Sequence, residues 1–171
     1  MSGAAVATAE AAWAALAEVP DPEIPAVSVV DLGIVRSVEL DAERLRVELL
    51  PTFVGCPATD MIRQAVAERL AGMAPRVEVE VSFAEPWTSD RITAEGRRRL
   101  RDSGFAPPAG AAGPAGGGQP LFATIKTRPR ATCPWCGSPD TALENPFGPT
   151  PCRSIFWCNR CRQPFEQFKA V

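Results

Sequence analysis

Two short cysteine brackets, Cys133-Pro-Trp-Cys136 and Cys158-Asn-Arg-Cys161, constrain this chain more than any other feature. Each spacing suits a tight turn that puts two thiolates on one edge of a tetrahedron. The twenty-one residues between the brackets allow a hairpin to bring the opposite edge to about 2.3 Å from a shared ion. Pro134 stiffens the first turn, and Gly137 directly after Cys136 permits the positive φ that such turns use. This is the spacing of a zinc ribbon, with structural zinc as the expected cofactor. Thioredoxin-like redox pairs and two disulfides are the competing readings of the same residues. Cys152 is a possible fifth ligand, or a filler beside Phe156 and Trp157, since structural zinc is satisfied by four donors.

The rest of the composition narrows the chemistry. The first twenty residues lack a basic stretch and carry Glu10 and Glu18, so no secretory signal is expected. No run approaches the ~20 apolar residues of a membrane span. A cytoplasmic location follows as the expectation, and there clustered cysteines serve as ligands more often than as bridges. The chain has no histidine and no tyrosine. That removes Ser-His-Asp hydrolysis, Cys-His proteolysis, Rieske centres and the Glu-x-x-His di-iron sites of helical bundles. A net charge of −2 gives no general affinity for nucleic acid, although residues 1–105 carry −6 and residues 106–171 carry +4.

Between those halves, Ala106 to Pro120 is built of Ala, Gly and Pro except for Gln119. Such a segment buries no core and holds no helix. As a flexible coil it spans roughly 20 Å. The expected organisation is therefore an α/β domain over 1–105, a linker over 106–120 and a ribbon over 121–171. The fold class is α+β, a small mixed three-stranded sheet with packed helices plus the ribbon. A helix is expected over Thr8–Glu18, strands over Ile34–Leu40 and Arg44–Leu50, and a helix over Ala58–Leu70. That second helix would turn Ala58, Met61, Ile62, Ala65, Val66 and Leu70 inward. Arg76–Phe83 follows as a strand with Val77, Val79, Val81 and Phe83 inward, in parallel pairing through a crossover. Thr93–Ser103 is the last helix.

Cys56, in Pro51-Thr-Phe-Val-Gly-Cys-Pro57, is expected at or near the N-cap of the second helix, with Pro57 at its first turn. The free N–H groups and positive dipole end there favour a thiolate. The alternative is a small buried cysteine. Arg97, Arg98, Arg99 and Arg101 invite a phosphate or coenzyme A reading, against which stands a simple solvated face.

Three further segments carry a resemblance. Asp21-Pro-Glu-Ile-Pro25, Val30-Asp-Leu-Gly-Ile-Val35 and Thr52…Gly55-Cys56-Pro57 resemble the signature of small iron–sulfur assembly-type domains. The pattern continues through Pro86-Trp-Thr-Ser-Asp90, Phe147-Gly148…Cys152 and Pro164-Phe165…Phe168-Lys169. From Trp13 to Val171, outside the linker, it is similar to the D-component family of phenylacetyl-CoA epoxidase (ring-1,2-epoxidase) systems of aerobic phenylacetate degradation. The resemblance implies a cytosolic accessory subunit or maturation factor, not itself catalytic, that assists iron or iron–sulfur loading of the oxygenase and reductase subunits. It implies Cys56 as the cluster or metal contact, with Asp21 and Glu23 as carboxylates on a facing loop and Thr52 shaping the cysteine loop. A transient iron or iron–sulfur cluster would be its cargo. It implies no membrane partner and is compatible with a homodimer. A general iron–sulfur carrier stays open. So does a nucleic-acid-binding ribbon using Arg128, Arg130, Arg153, Arg160 and Trp157, and so does a thiol enzyme using Cys56 with a Lys or carboxylate base.

Overall fold

The computed structural model describes residues 8–53, 55–108 and 130–169. These described residues divide into two compact units, one up to Arg99 and one from Leu100 onward.

The first unit starts with Thr8, whose hydroxyl accepts the Ala11 N–H at 3.1 Å and caps α1 (Ala9–Leu16). Ala12, Ala15 and Leu16 recur at helical spacing and are buried. β1 (Val35–Leu40) and β2 (Arg44–Leu49) form an antiparallel hairpin. Its turn is closed by the Asp41 carboxylate, which accepts the N–H groups of Glu43 and Arg44 at 2.9 and 2.7 Å. Leu45, Val47 and Leu49 alternate along β2 and are at most 2% exposed. After α2 (Thr59–Leu70), the chain returns as β3 (Arg76–Val81), which pairs in parallel with β2, setting Leu45, Val47 and Leu49 opposite Val77, Val79 and Val81. The sheet order is β1-β2-β3. On its other face Arg46 meets Glu80 at 2.7 Å, Arg44 meets Glu78 at 3.6 Å and Arg36 pairs with Glu48.

Two inward assignments fail. Met61 is 61% exposed because the buried stripe of α2 is narrower than expected, running through Ile62, Val66 and Leu70. Phe83 is 66% exposed. The ladder ends when the Ser82 N–H reaches the Leu49 carbonyl at 2.8 Å, and the chain then leaves the sheet. As an edge strand, β3 leaves even its valines half-buried.

Asp31-Leu32-Gly33 organises the remainder of this unit. Asp31 accepts the Ser28 N–H at 3.0 Å, returns its own N–H to the Ser28 hydroxyl, and meets Arg99 of α3 (Ala94–Asp102) at 3.2 Å. The Trp87 indole donates to the Leu32 carbonyl at 2.9 Å. Gly33 sits at φ 64, where a side chain would run into Arg91, so this glycine is required by both conformation and space.

The second unit is a four-stranded sheet of order β4-β7-β6-β5. β5 (Thr141–Asn145), β6 (Arg153–Cys158) and β7 (Pro164–Phe168) are antiparallel neighbours. β4 (Phe105–Ala106) adds in parallel to β7. Phe156 stacks on Phe165 at 5.7 Å in a core shared with Ala106, Ala131, Cys133 and Cys158. The expected boundary after residue 105 thus falls inside β4, and Ala106, assigned to the linker, is 1% exposed. Residues 109–120 of the expected linker and 121–129 of the expected ribbon lie outside the described residues.

Candidate metal centre

The two knuckles are built on one pattern. In the first, the Gly137 N–H reaches the Cys133 carbonyl at 2.9 Å, and the Cys133 N–H reaches the Ser138 carbonyl at 3.0 Å. In the second, the Arg162 N–H reaches the Cys158 carbonyl at 2.9 Å, and the Cys158 N–H reaches the Gln163 carbonyl at 3.0 Å. Each turn needs a left-handed residue after its second cysteine. Gly137 supplies it at φ 71 without strain, whereas Arg162 holds φ 58 at a steric cost.

Together the turns bring four sulfurs within 4.8 Å of one another. Cys133 and Cys161 are 3.6 Å apart, as are Cys136 and Cys158. A tetrahedral ion with sulfur ligands at about 2.3 Å requires sulfur separations of about 3.8 Å, so the arrangement fits a closed four-thiolate site. It does not fit disulfides, whose sulfurs lie at about 2.05 Å. The protonation chemistry is uneven. The Cys161 N–H and neighbouring thiols bring Cys158 down to about 7. Burial pushes Cys161 up to about 12 and also raises Cys133. Four thiols left to themselves would not all ionise near neutrality; a cation bound among them brings all four to thiolate.

Cys152 stands apart from this group. Its sulfur lies 3.1 Å from the Thr150 hydroxyl and its carbonyl accepts the Lys169 N–H at 2.8 Å, which ties the approach to β6 against the end of β7. Arg153, considered for nucleic-acid contact, is 8% exposed. It is ion-paired to Glu166 at 3.0 Å and stands 5.7 Å over the Phe105 ring, so its charge serves the attachment of β4.

In the first unit, Cys56 is half-buried in the turn that precedes α2. Its N–H donates to the Phe53 carbonyl at 3.1 Å and its carbonyl accepts the Thr59 N–H at 3.2 Å. The N-cap is Ala58, so Cys56 lies near the cap, two residues before it, and Pro57 belongs to the turn that precedes the helix instead of its first turn. Asp21 is 7% exposed, and its Oδ1 accepts the N–H groups of Glu23 and Ile24 at 2.9 and 2.8 Å. The carboxylate therefore shapes its own loop. Glu23 and Thr52 are half-buried. Among the described residues, the knuckle cysteines are the one group of three or more potential metal-binding side chains; Cys56, Asp21 and Glu23 do not form another. The structural weight of Asp31, Gly33 and Trp87 went unassigned in the sequence, although all three lie in quoted motifs. Arg162 was also overlooked, although it occupies the position that Gly137 marks in the first knuckle.

Comparison with known proteins matches residues 9–83 to a family described as iron-sulfur cluster assembly protein, and residues 118–169 to the PaaD zinc beta ribbon domain. A protein of Escherichia coli (strain K12) named as the D component of 1,2-phenylacetyl-CoA epoxidase is 38% identical over 161 residues, covering 93% of this chain and 91% of that one. Among solved structures, a domain of unknown function DUF59 from Bacillus anthracis is 28% identical, with a TM-score of 0.51 over 54% of this chain and 90% of its own. A conserved hypothetical protein from Thermotoga maritima is 32% identical over 58% of this chain and 98% of its own, with a TM-score of 0.48. Among the described residues, no helix is long and apolar enough to cross a membrane.

Proposed function

The chain belongs to the D-component family of 1,2-phenylacetyl-CoA epoxidase, and from that premise we propose that it is a maturation or accessory subunit of such a system. It acts before catalysis, assisting iron or iron–sulfur loading of the oxygenase and reductase subunits in the cytoplasm. The observation that carries this reading is the pairing of one complete four-cysteine site with a separate iron–sulfur assembly-type domain bearing a single cysteine, the half-buried Cys56, on a turn. Zinc is the ion assigned to Cys133, Cys136, Cys158 and Cys161, since a closed tetrathiolate with no open position is a structural site. Cys56 makes the transient contact with the cargo. Asp21 holds the loop near which Glu23 stands, and Thr52 shapes the cysteine turn. The lack of histidine fits a subunit that does not itself oxidise substrate.

The test is metal loading. Epoxidase subunits produced without this chain should contain little iron and turn over slowly, while adding the purified chain to mature subunits should change nothing. If fully metallated subunits need it in every assay, it is a working component of the oxygenase and the maturation reading fails. A general iron–sulfur carrier is the second reading, favoured by the match of residues 9–83 to a family described only as iron-sulfur cluster assembly protein. It predicts that unrelated iron–sulfur enzymes also lose activity when the chain is absent.

A further inference from the structure

A cavity of about 520 Å³ in the second unit is walled by Pro107, Pro108, Pro134 and Pro139, with Arg101 and Arg130 as its cations. Prolines offer no N–H, and the N–H groups of Cys133 and Gly137 are spent within the knuckle, so recognition of a polar ligand falls largely to side chains. Those are the two guanidiniums, the Thr132 hydroxyl and Gln167, whose amide already donates to the Arg130 carbonyl at 3.4 Å. The neighbouring arginines are engaged elsewhere: Arg98 and Arg99 bind Glu95, and Arg97 donates to the Ser89 carbonyl at 2.6 Å. Arg101 and Arg130 have no carboxylate partner among the described residues, and residues 109–129 contain no Asp or Glu. Cys133 also lines the cavity, and an ion held by four thiolates carries about −2, so one cation alone would not draw an anion there.

We propose that this cavity binds an organic phosphate, with its diphosphate on Arg101 and Arg130 and a flat apolar body against the prolines. Guanidinium forks match pairs of phosphate oxygens. The volume is that of a small-molecule site and far exceeds a bare phosphate. The proposal goes beyond the maturation role and stands independently of it.

Titration of the full metal-loaded chain by calorimetry tests it, with ADP and coenzyme A as probes that share an adenine and a diphosphate, and inorganic phosphate as the control. The expected result is saturable binding of at least one probe below about 1 mM, weakened at least tenfold in an Arg101→Gln/Arg130→Gln variant and by added salt. The tighter of the two probes identifies the source of the diphosphate. Metal content establishes that the variant is folded, and Thr132→Val, a change at an exposed hydroxyl, should weaken binding severalfold. The proposal is overturned if neither probe saturates below about 1 mM, or if the folded double variant binds equally well. Inorganic phosphate binding as tightly as both probes also overturns it, because the proline walls would then recognise nothing.

Discussion

At the knuckles, two turns of the same hydrogen-bond pattern hold four sulfurs within 4.8 Å of one another. At the turn before α2, Cys56 belongs to no such group among the described residues, and Asp21, a carboxylate of the same sequence motif, is occupied with two backbone N–H groups. The first site supplies every ligand an ion needs, and so suits permanent holding. The second offers one thiol, Cys56, outside any group of three or more potential ligands among the described residues, which is what the proposed transfer role would require. On the proposed function, folding energy should be concentrated in the first and contact with the cargo in the second.

The largest effect should come from removing the knuckle metal. Structural zinc contributes roughly 10–16 kcal/mol in small modules. A strong chelator should therefore abolish the second unit's tertiary signal, with Trp135 and Trp157 as fluorescence reporters, while the first unit still melts cooperatively. Phe156→Ala should cost about 3–5 kcal/mol even with metal bound, since Phe156 is fully buried and stacked on Phe165. In the first unit, Asp21→Ala should cost about 1–3 kcal/mol by stranding the N–H groups of Glu23 and Ile24. Asp21→Asn keeps an oxygen for both, so urea melts should separate it from Ala by most of that amount. Arg162→Gly should stabilise the metal-loaded ribbon by up to about 1 kcal/mol by relieving the left-handed strain, whereas Gly137→Ala should destabilise it. Smallest of all, Cys56→Ala should shift stability by less than about 1 kcal/mol while removing support of growth on phenylacetate.

The two sites were not equally legible in the sequence. Knuckle spacing is local, and four thiols at fixed separations leave few geometries, so the metal group could be read directly. The β2–β3 pairing was also legible, because Leu45, Val47, Leu49 and Val77, Val79, Val81 alternate without interruption. What escaped depended on distant partners. β4 looks like the tail of a helix running into a Gly/Pro tract, and only β7, some sixty residues on, makes it a strand. Arg153 looks like a surface cation until Glu166 and Phe105 close around it. Phe83 keeps the alternation of β3 but lies beyond its last hydrogen bond, which no periodicity records. For Cys56, a proline at the following residue marked a helix start without fixing which residue caps it.

Metal stoichiometry of the purified full chain, measured with its Cys56→Ala and Cys158→Ser variants, tests the contrast between the two sites most directly. One tightly held zinc per chain is expected, unchanged in Cys56→Ala and lost together with the fold of the second unit in Cys158→Ser. A folded chain containing neither zinc nor iron, or a second ion retained through purification and lost in Cys56→Ala, would contradict it.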